Sequence, residues 1–173
     1  WASLGNEGWS YEDVLPYFRS IERSEIGDER SRGFDGPLSV SKVRIDNPLN
    51  DAFIAAAQEA GIPFNADLNG DNQEGVGICQ ASQKRGWRHS TAGAFLAPAM
   101  KRPNLTVKLG AQVEKLCLES NRVTGVDYRI KGVTAREKAL RGVIVSAGAI
   151  ASPKLLMLSG IGATGDLSQH GIE

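Results

Sequence analysis

Val143-Ile144-Val145-Ser146-Ala147-Gly148-Ala149-Ile150-Ala151-Ser152-Pro153-Lys154-Leu155-Leu156-Met157-Leu158-Ser159-Gly160-Ile161-Gly162 is the stretch whose reading decides the fold. Val143 to Val145 is a short β-branched run of the kind covered on both faces in a parallel sheet. Ser146-Ala147-Gly148-Ala149 carries no bulk, so a ligand can approach the backbone closely. Ser152 and Pro153 suit the N-cap and first position of a helix. Leu155, Leu156 and Leu158 give that helix an apolar face, and Gly160 is placed to end it. A strand that runs into a small-residue turn at a helix start is a place where a nucleotide can lie. The same residues also suit an ordinary strand-helix packing turn.

The complete string is more specific than its physics. Gly148-Ala149-x-x-Ser152-Pro153-x-x-Leu156-Met157-x-Ser159-Gly160-Ile161-Gly162 resembles the second signature of the glucose-methanol-choline (GMC) family of FAD-dependent oxidoreductases. So many constrained positions at fixed spacing make a stronger signal than a lone glycine motif. The resemblance extends outward. Gly86-x-Arg88-x-Ser90-x-x-x-Ala94-Phe95-Leu96-x-Pro98 with Arg102-Pro103-Asn104-Leu105-Thr106-Val107 is similar to the family segment that returns from substrate domain to flavin domain. Gly5 to Phe18 is similar to the segment that follows the flavin lid in bacterial members.

Between these blocks the pattern is strand-rich. Leu105 to Leu109 reads as a short strand. Gln112 to Leu118, Val123 to Ile130 and Val133 to Leu140 read as three more, with turns at Glu119-Ser120-Asn121-Arg122 and Lys131-Gly132. This predicts an antiparallel meander feeding the strand Val143 to Val145. The fold expectation is therefore α/β, in part α+β. The resemblance implies a fragment of a glutathione-reductase-like FAD-binding domain, with the beginning of a substrate-binding domain. It assigns residues 1–36 and 84–173 to the FAD domain and 37–83 to the substrate domain.

The cofactor implied is FAD. The resemblance places Val113 where family members hold the adenine through backbone groups. Backbone N–H and C=O can read an adenine edge whatever the side chain. Val113 as an inward-facing strand residue is a compatible reading. Ser146, Ala147, Gly148 and Ala149 are the remaining cofactor-binding candidates, with Ala147 and Gly148 near the ribose-pyrophosphate. No catalytic residue is assigned. In the family a downstream His takes the hydroxyl proton while hydride moves to the flavin, and neither His89 nor His170 matches that motif.

Toward the N-terminus, Ser10 and Asp13 form a capping box, followed by Val14, Leu15, Phe18 and Ile21 at helical spacing. Pro16 is expected to bend or restart that helix. Ile26 to Asp35 reads as a mobile surface loop and Leu38 to Val40 as a strand. Asn47-Pro48 starts a helix whose buried face is Phe53, Ile54, Ala56 and Ala57, stopped by Gly61 and Pro63. Asn65 to Glu74 is a polar loop whose Asp67, Asn69, Asp71 and Asn72 do not meet EF-hand spacing, so no metal is expected. Gly75 to Gln80 reads as a strand, and Ser90 or Thr91 as the cap of a helix presenting Phe95 and Leu96 inward.

Composition narrows the function class. The 20 Lys and Arg balance the 20 Asp and Glu. That balance suggests neither nucleic-acid nor membrane-surface partners. Cys79 and Cys117 lack metal-site spacing and read as buried free thiols. The chain carries no leader or membrane-length apolar run and opens without Met, as an internal piece of a longer polypeptide does. The expected compartment is the cytoplasm. The partner implied is a small-molecule alcohol, choline or another primary alcohol, with oxygen or a respiratory or dye acceptor taking the electrons. Two alternatives stand beside the FAD alcohol dehydrogenase or oxidase. One is a catalytically incomplete FAD-fold module. The other is an NAD-dependent Rossmann enzyme, whose glycine fingerprint is absent here. The chain alone is expected to bind FAD weakly or not at all and not to oxidise alcohols.

Overall fold

A computed structural model describes residues 1–44 and 47–172, which form two compact units, Trp1–Thr106 and Val107–Glu173. In the first unit, α1 (Tyr11–Ile21) begins at the expected capping box. The Asp13 amide donates to Ser10 Oγ at 3.2 Å, and the Ser10 amide donates to Asp13 Oδ2 at 3.1 Å. The bend expected at Pro16 does not interrupt the helix, which runs on to Ile21. A single lost donor is tolerated when both ends of the helix are held.

Strand β1 (Glu22–Ser24) pairs in parallel with β2 (Leu38–Lys42). The 26–35 connection is not the mobile surface loop expected from its charges. Arg32, only 5% exposed, pins it from inside. Its Nη2 meets Glu22 Oε1 at 2.9 Å, Ser24 Oγ at 3.1 Å and Gln80 Oε1 at 2.6 Å. A buried guanidinium needs such partners, because desolvating it alone is costly.

Helix α2 (Pro48–Glu59) is capped by Asn47, whose Oδ1 accepts from the Leu49 amide at 3.0 Å. Its expected buried face is only partly covered: Ile54 and Ala57 are half-buried, whereas Ala56 is exposed and Phe53 is 70% exposed. Within Gly75–Gln80 the expected strand reduces to a bridge between Phe64 and Val76, and Gln80 begins β3 (Gln80–Ala81), which pairs antiparallel with β2. Asn65 Nδ2 ties the preceding loop into a closed turn by donating to the Asn72 and Glu74 carbonyls. A hairpin of β4 (Gln83–Lys84) and β5 (Trp87–Arg88) follows. A π-helical turn at Ala92–Leu96 then leads into α3 (Ala97–Ala99), with Ser90 Oγ accepting from the Gly93 amide at 3.4 Å. Phe95 and Leu96 stay more than one-third exposed rather than facing inward.

The second unit carries the predicted meander as β6 (Gln112–Glu119), β7 (Arg122–Ile130) and β8 (Val133–Lys138), in that spatial order. Lys131 and Gly132, at φ 49° and 82°, turn β7 into β8. Positive φ at both central residues matches the right-handed twist of the hairpin. Gly125 lets β8 approach, since a Cβ there would lie 2.3 Å from the Glu137 carbonyl oxygen. Tyr128 is buried, and its hydroxyl accepts from Lys108 Nζ at 2.8 Å.

Two expected strands are absent. Leu105–Leu109 and Val143–Val145 make no ladder, and Leu109 and Ile144 are 84% and 93% exposed. Among the described residues no strand pairs with either, and β-branched composition does not make a strand without a partner's donors and acceptors. The signature helix α4 (Gly148–Leu158) starts five residues earlier than the Ser152-Pro153 reading expects. Ser152 still serves the helix start, because its Oγ accepts from the Ala147 amide at 3.0 Å. Gly160, at φ 82°, follows the C-cap, and α5 (Thr164–Gln169) buries Leu167. Both cysteines are free, but Cys79 is exposed and Cys117 half-buried rather than fully buried. Burial and a hydrogen bond to Asp127 push the Cys117 thiol above its ordinary pKa.

Candidate functional site

The site is organised by the free edge of β6. Strand β7 occupies one edge of β6, and α4 lies along the other. Ser159, 6% exposed, joins them. Its Oγ accepts from the Leu116 amide at 2.9 Å and donates to the Leu155 carbonyl at 2.7 Å. An edge-strand donor that would otherwise be orphaned is thereby satisfied, and Leu116 and Leu155 are buried beside it.

Farther along the same edge, β6 and α4 flank a half-open cavity of about 760 Å³. Ala111, Gln112, Val113 and Glu114 line it from the strand side; Ala147, Ala151, Lys154, Leu155 and Leu158 line it from the helix. The helix residues recur at intervals of three and four, which puts them on one face. The small residues of that face, Ala147 and Ala151, lie toward the helix start. There the first-turn amides lack intrahelical acceptors and the dipole favours negative charge.

The register of β6 on β7 is irregular at this cavity. Val113 pairs with Tyr128 and Lys115 with Asp127, leaving Glu114 as an extra residue. Glu114 is ion-paired with Arg129 on β7, and Gln112 Nε2 donates to the Val113 carbonyl at 3.2 Å. Lys154 is an exposed cation at the rim.

Of the five sequence-selected residues, Val113 and Ala147 line this cavity. Ser146, Gly148 and Ala149 stand exposed at the helix start and do not line it. Gly148 adopts φ +90°, a conformation that side-chain-bearing residues rarely take, with open space where a Cβ would stand. Sequence reasoning missed Glu114, Ala151 and Lys154. The three-and-four spacing from Ala147 was a readable signal for the helix pair, whereas nothing local announces the strand irregularity. His89 is a structural clamp whose Nδ1 accepts from the Ser39 amide at 3.0 Å. His170 caps α5 and borders a different groove, with Ile150 and Met157.

A family model described as GMC oxidoreductase matches residues 1–170. The chain belongs to the GMC oxidoreductase family. The family implies a flavin cofactor. The chain is 47% identical to an oxygen-dependent choline dehydrogenase of Rhizobium meliloti (strain 1021), over all of its own length and 31% of that protein. It is 46% identical to the mitochondrial choline dehydrogenase of Mus musculus, over 96% of the chain and 28% of that enzyme. Among solved structures, pyridoxine 4-oxidase from Mesorbium loti superposes with a TM-score of 0.83 at 33% identity, over 97% of this chain and 33% of that one. An FAD-dependent oxidoreductase from Chaetomium thermophilum superposes with a TM-score of 0.90 at 27% identity, over 100% of this chain and 32% of that one. The chain thus spans about a third of the length of the relatives it matches.

The residues fit a dinucleotide. The cavity meets the β6 edge that no strand pairs with among the described residues, and a helix start with the small side chains Ala147 and Ala151.

Proposed function

We propose that this chain supplies the adenosine-facing part of the FAD domain in an enzyme that oxidises the CH–OH group of an alcohol, choline or another primary alcohol. The observation that carries the reading is the cavity shared by the β6 edge at Val113 and the small-residue face of α4 at Ala147. The Val113 N–H and C=O would hydrogen-bond the adenine edge, and the backbone of Ser146 to Ala149 would run beside the ribose-pyrophosphate. When bound, FAD accepts hydride from the alcohol carbon, and the protein's part is positioning and electrostatics. The names of the relatives, two choline dehydrogenases and a pyridoxine oxidase, support an alcohol substrate. Oxygen and a respiratory or dye acceptor are both compatible with this reading.

We also propose that residues 1–36 and 84–173 belong to the FAD domain of the full-length protein and that 37–83 open its substrate domain. The positioned catalytic base lies outside this chain. His89 is engaged by a backbone amide, and His170 does not border the cavity. The 173-residue chain alone is therefore expected to turn over no alcohol.

Purified full-length protein tests the proposal. It should carry about one FAD per chain, as the yellow flavin spectrum reports. Anaerobic addition of choline or another primary alcohol should bleach that spectrum. A protein isolated without flavin, or a flavin left oxidised by every alcohol tried, would contradict it.

A further inference from the structure

We propose that Glu114 and Arg129 form a positioning pair that aims the Val113 backbone at the adenine ring. The inference rests on the cofactor reading above and goes one step further, to what sets adenine specificity.

Three observations combine. First, the β6–β7 register passes from Val113↔Tyr128 to Lys115↔Asp127 with Glu114 unmatched. A bulge leaves the extra residue out of the ladder and bends and twists its strand. Second, regular alternation would send Val113 and Glu114 to opposite faces, yet both are half-buried and both line the cavity. Third, Arg129 holds Glu114 from the neighbouring strand, and Arg129 itself stands opposite Gln112, the residue before Val113. The pair therefore brackets Val113 on both sides along β6.

Side-chain exposures of 53% for Arg129 and 29% for Glu114 make this a weak contributor to stability. Its consequence is directional. Without the pair, Glu114 is free to leave the bulge, and the Val113 amide and carbonyl lose their fixed aim. Adenine offers an amino donor and a ring-nitrogen acceptor. Hypoxanthine inverts that pattern, with a carbonyl acceptor and a ring N–H donor. A fixed backbone N–H and C=O pair tells them apart, and a loosened one does so less well.

The test uses the full-length protein, stripped of flavin and titrated with FAD and with its hypoxanthine analogue while flavin fluorescence is followed. Wild type should prefer FAD. Glu114→Ala and Arg129→Ala should lower the FAD-to-analogue affinity ratio by about three- to tenfold, the scale of one misdirected hydrogen bond. Glu114→Gln, close in shape, covers the case in which the alanine variant does not fold, and should lose part of the preference. The charge-swapped double variant, Glu114→Arg with Arg129→Glu, should recover it. A wild type without preference would overturn the adenine reading and this inference with it. A wild-type preference retained in the Glu114 variants would overturn this inference alone.

Discussion

At the scale of single residues, two positions carry most of the physical argument. Gly148 opens α4 at φ +90° with nothing where its Cβ would be, so the constraint is backbone conformation rather than space. A β-branched residue there costs roughly 1–2 kcal/mol in conformation alone. Gly148→Val in the full-length enzyme should reduce flavin occupancy about fivefold or more at limiting FAD, read from the ratio of flavin to protein absorbance. Unchanged occupancy would count against a role for the helix start in holding the cofactor. Arg32 is the other position. It is buried, ion-paired with Glu22 and lies 3.7 Å from Asp67 Oδ2. Arg32→Ala leaves those carboxylates without their cation and should destabilise the first unit by about 3–5 kcal/mol. Denaturant unfolding of the full-length protein measures it, and a midpoint equal to wild type would refute the account. Gly148 was legible as a fixed position of the signature string, though its positive φ was not. Arg32 was not, because a charged Gly-containing loop has the same composition whether it is solvated or pinned from inside.

At the scale of elements, local chemistry and pairing have different visibility. The capping box at Ser10 and Asp13, the Asn47 cap and the three meander strands follow from short-range signals and stand where the sequence places them. Val143–Val145, Leu105–Leu109 and the Phe53 side of the α2 face fail because each needs a neighbour, and composition does not reveal whether one is present. The Glu114 bulge is likewise a property of two strands together. The meander also has a pH signature. A hydrogen-bonded pair with Arg136, at 2.6 and 2.8 Å, is the main cause holding Asp127 below the ordinary carboxylate range. A depressed folded pKa gives stability that is present above the unfolded carboxylate value and lost as pH falls through the folded one. Amide protection factors across β7 and β8, taken relative to the intrinsic exchange rate at each pH, should therefore fall on acidification below about pH 4. Asp127→Asn should flatten that dependence, and an unchanged acid profile in the variant would place the sensitivity elsewhere.

At the scale of the whole molecule, surface is the informative quantity. The chain exposes 13518 Å² at 18.5 kDa. A folded monomer of this mass exposes about 8,000 Å². Trp87, Phe53, Tyr17 and Ile150 are each at least 70% exposed, and no large side chain is fully buried among the described residues. The chain spans 31% of the length of an oxygen-dependent choline dehydrogenase relative, and under the proposed reading other parts of a full-length protein cover these surfaces. By itself it should associate or precipitate, bind FAD weakly and leave alcohols unoxidised. Light scattering and flavin titration check this, and a monodisperse monomer with stoichiometric FAD would contradict it. The family was legible in the signature string, whereas the cavity depends on which face of α4 meets which edge of β6. The most direct test of the central claim is a crystal structure of the full-length protein with FAD. The account predicts the adenine edge within about 3 Å of the Val113 amide and carbonyl, between β6 and α4, with the ribose-pyrophosphate beside Ala147 and Gly148. An adenine bound outside that cavity, with Val113 engaged by protein alone, would contradict it.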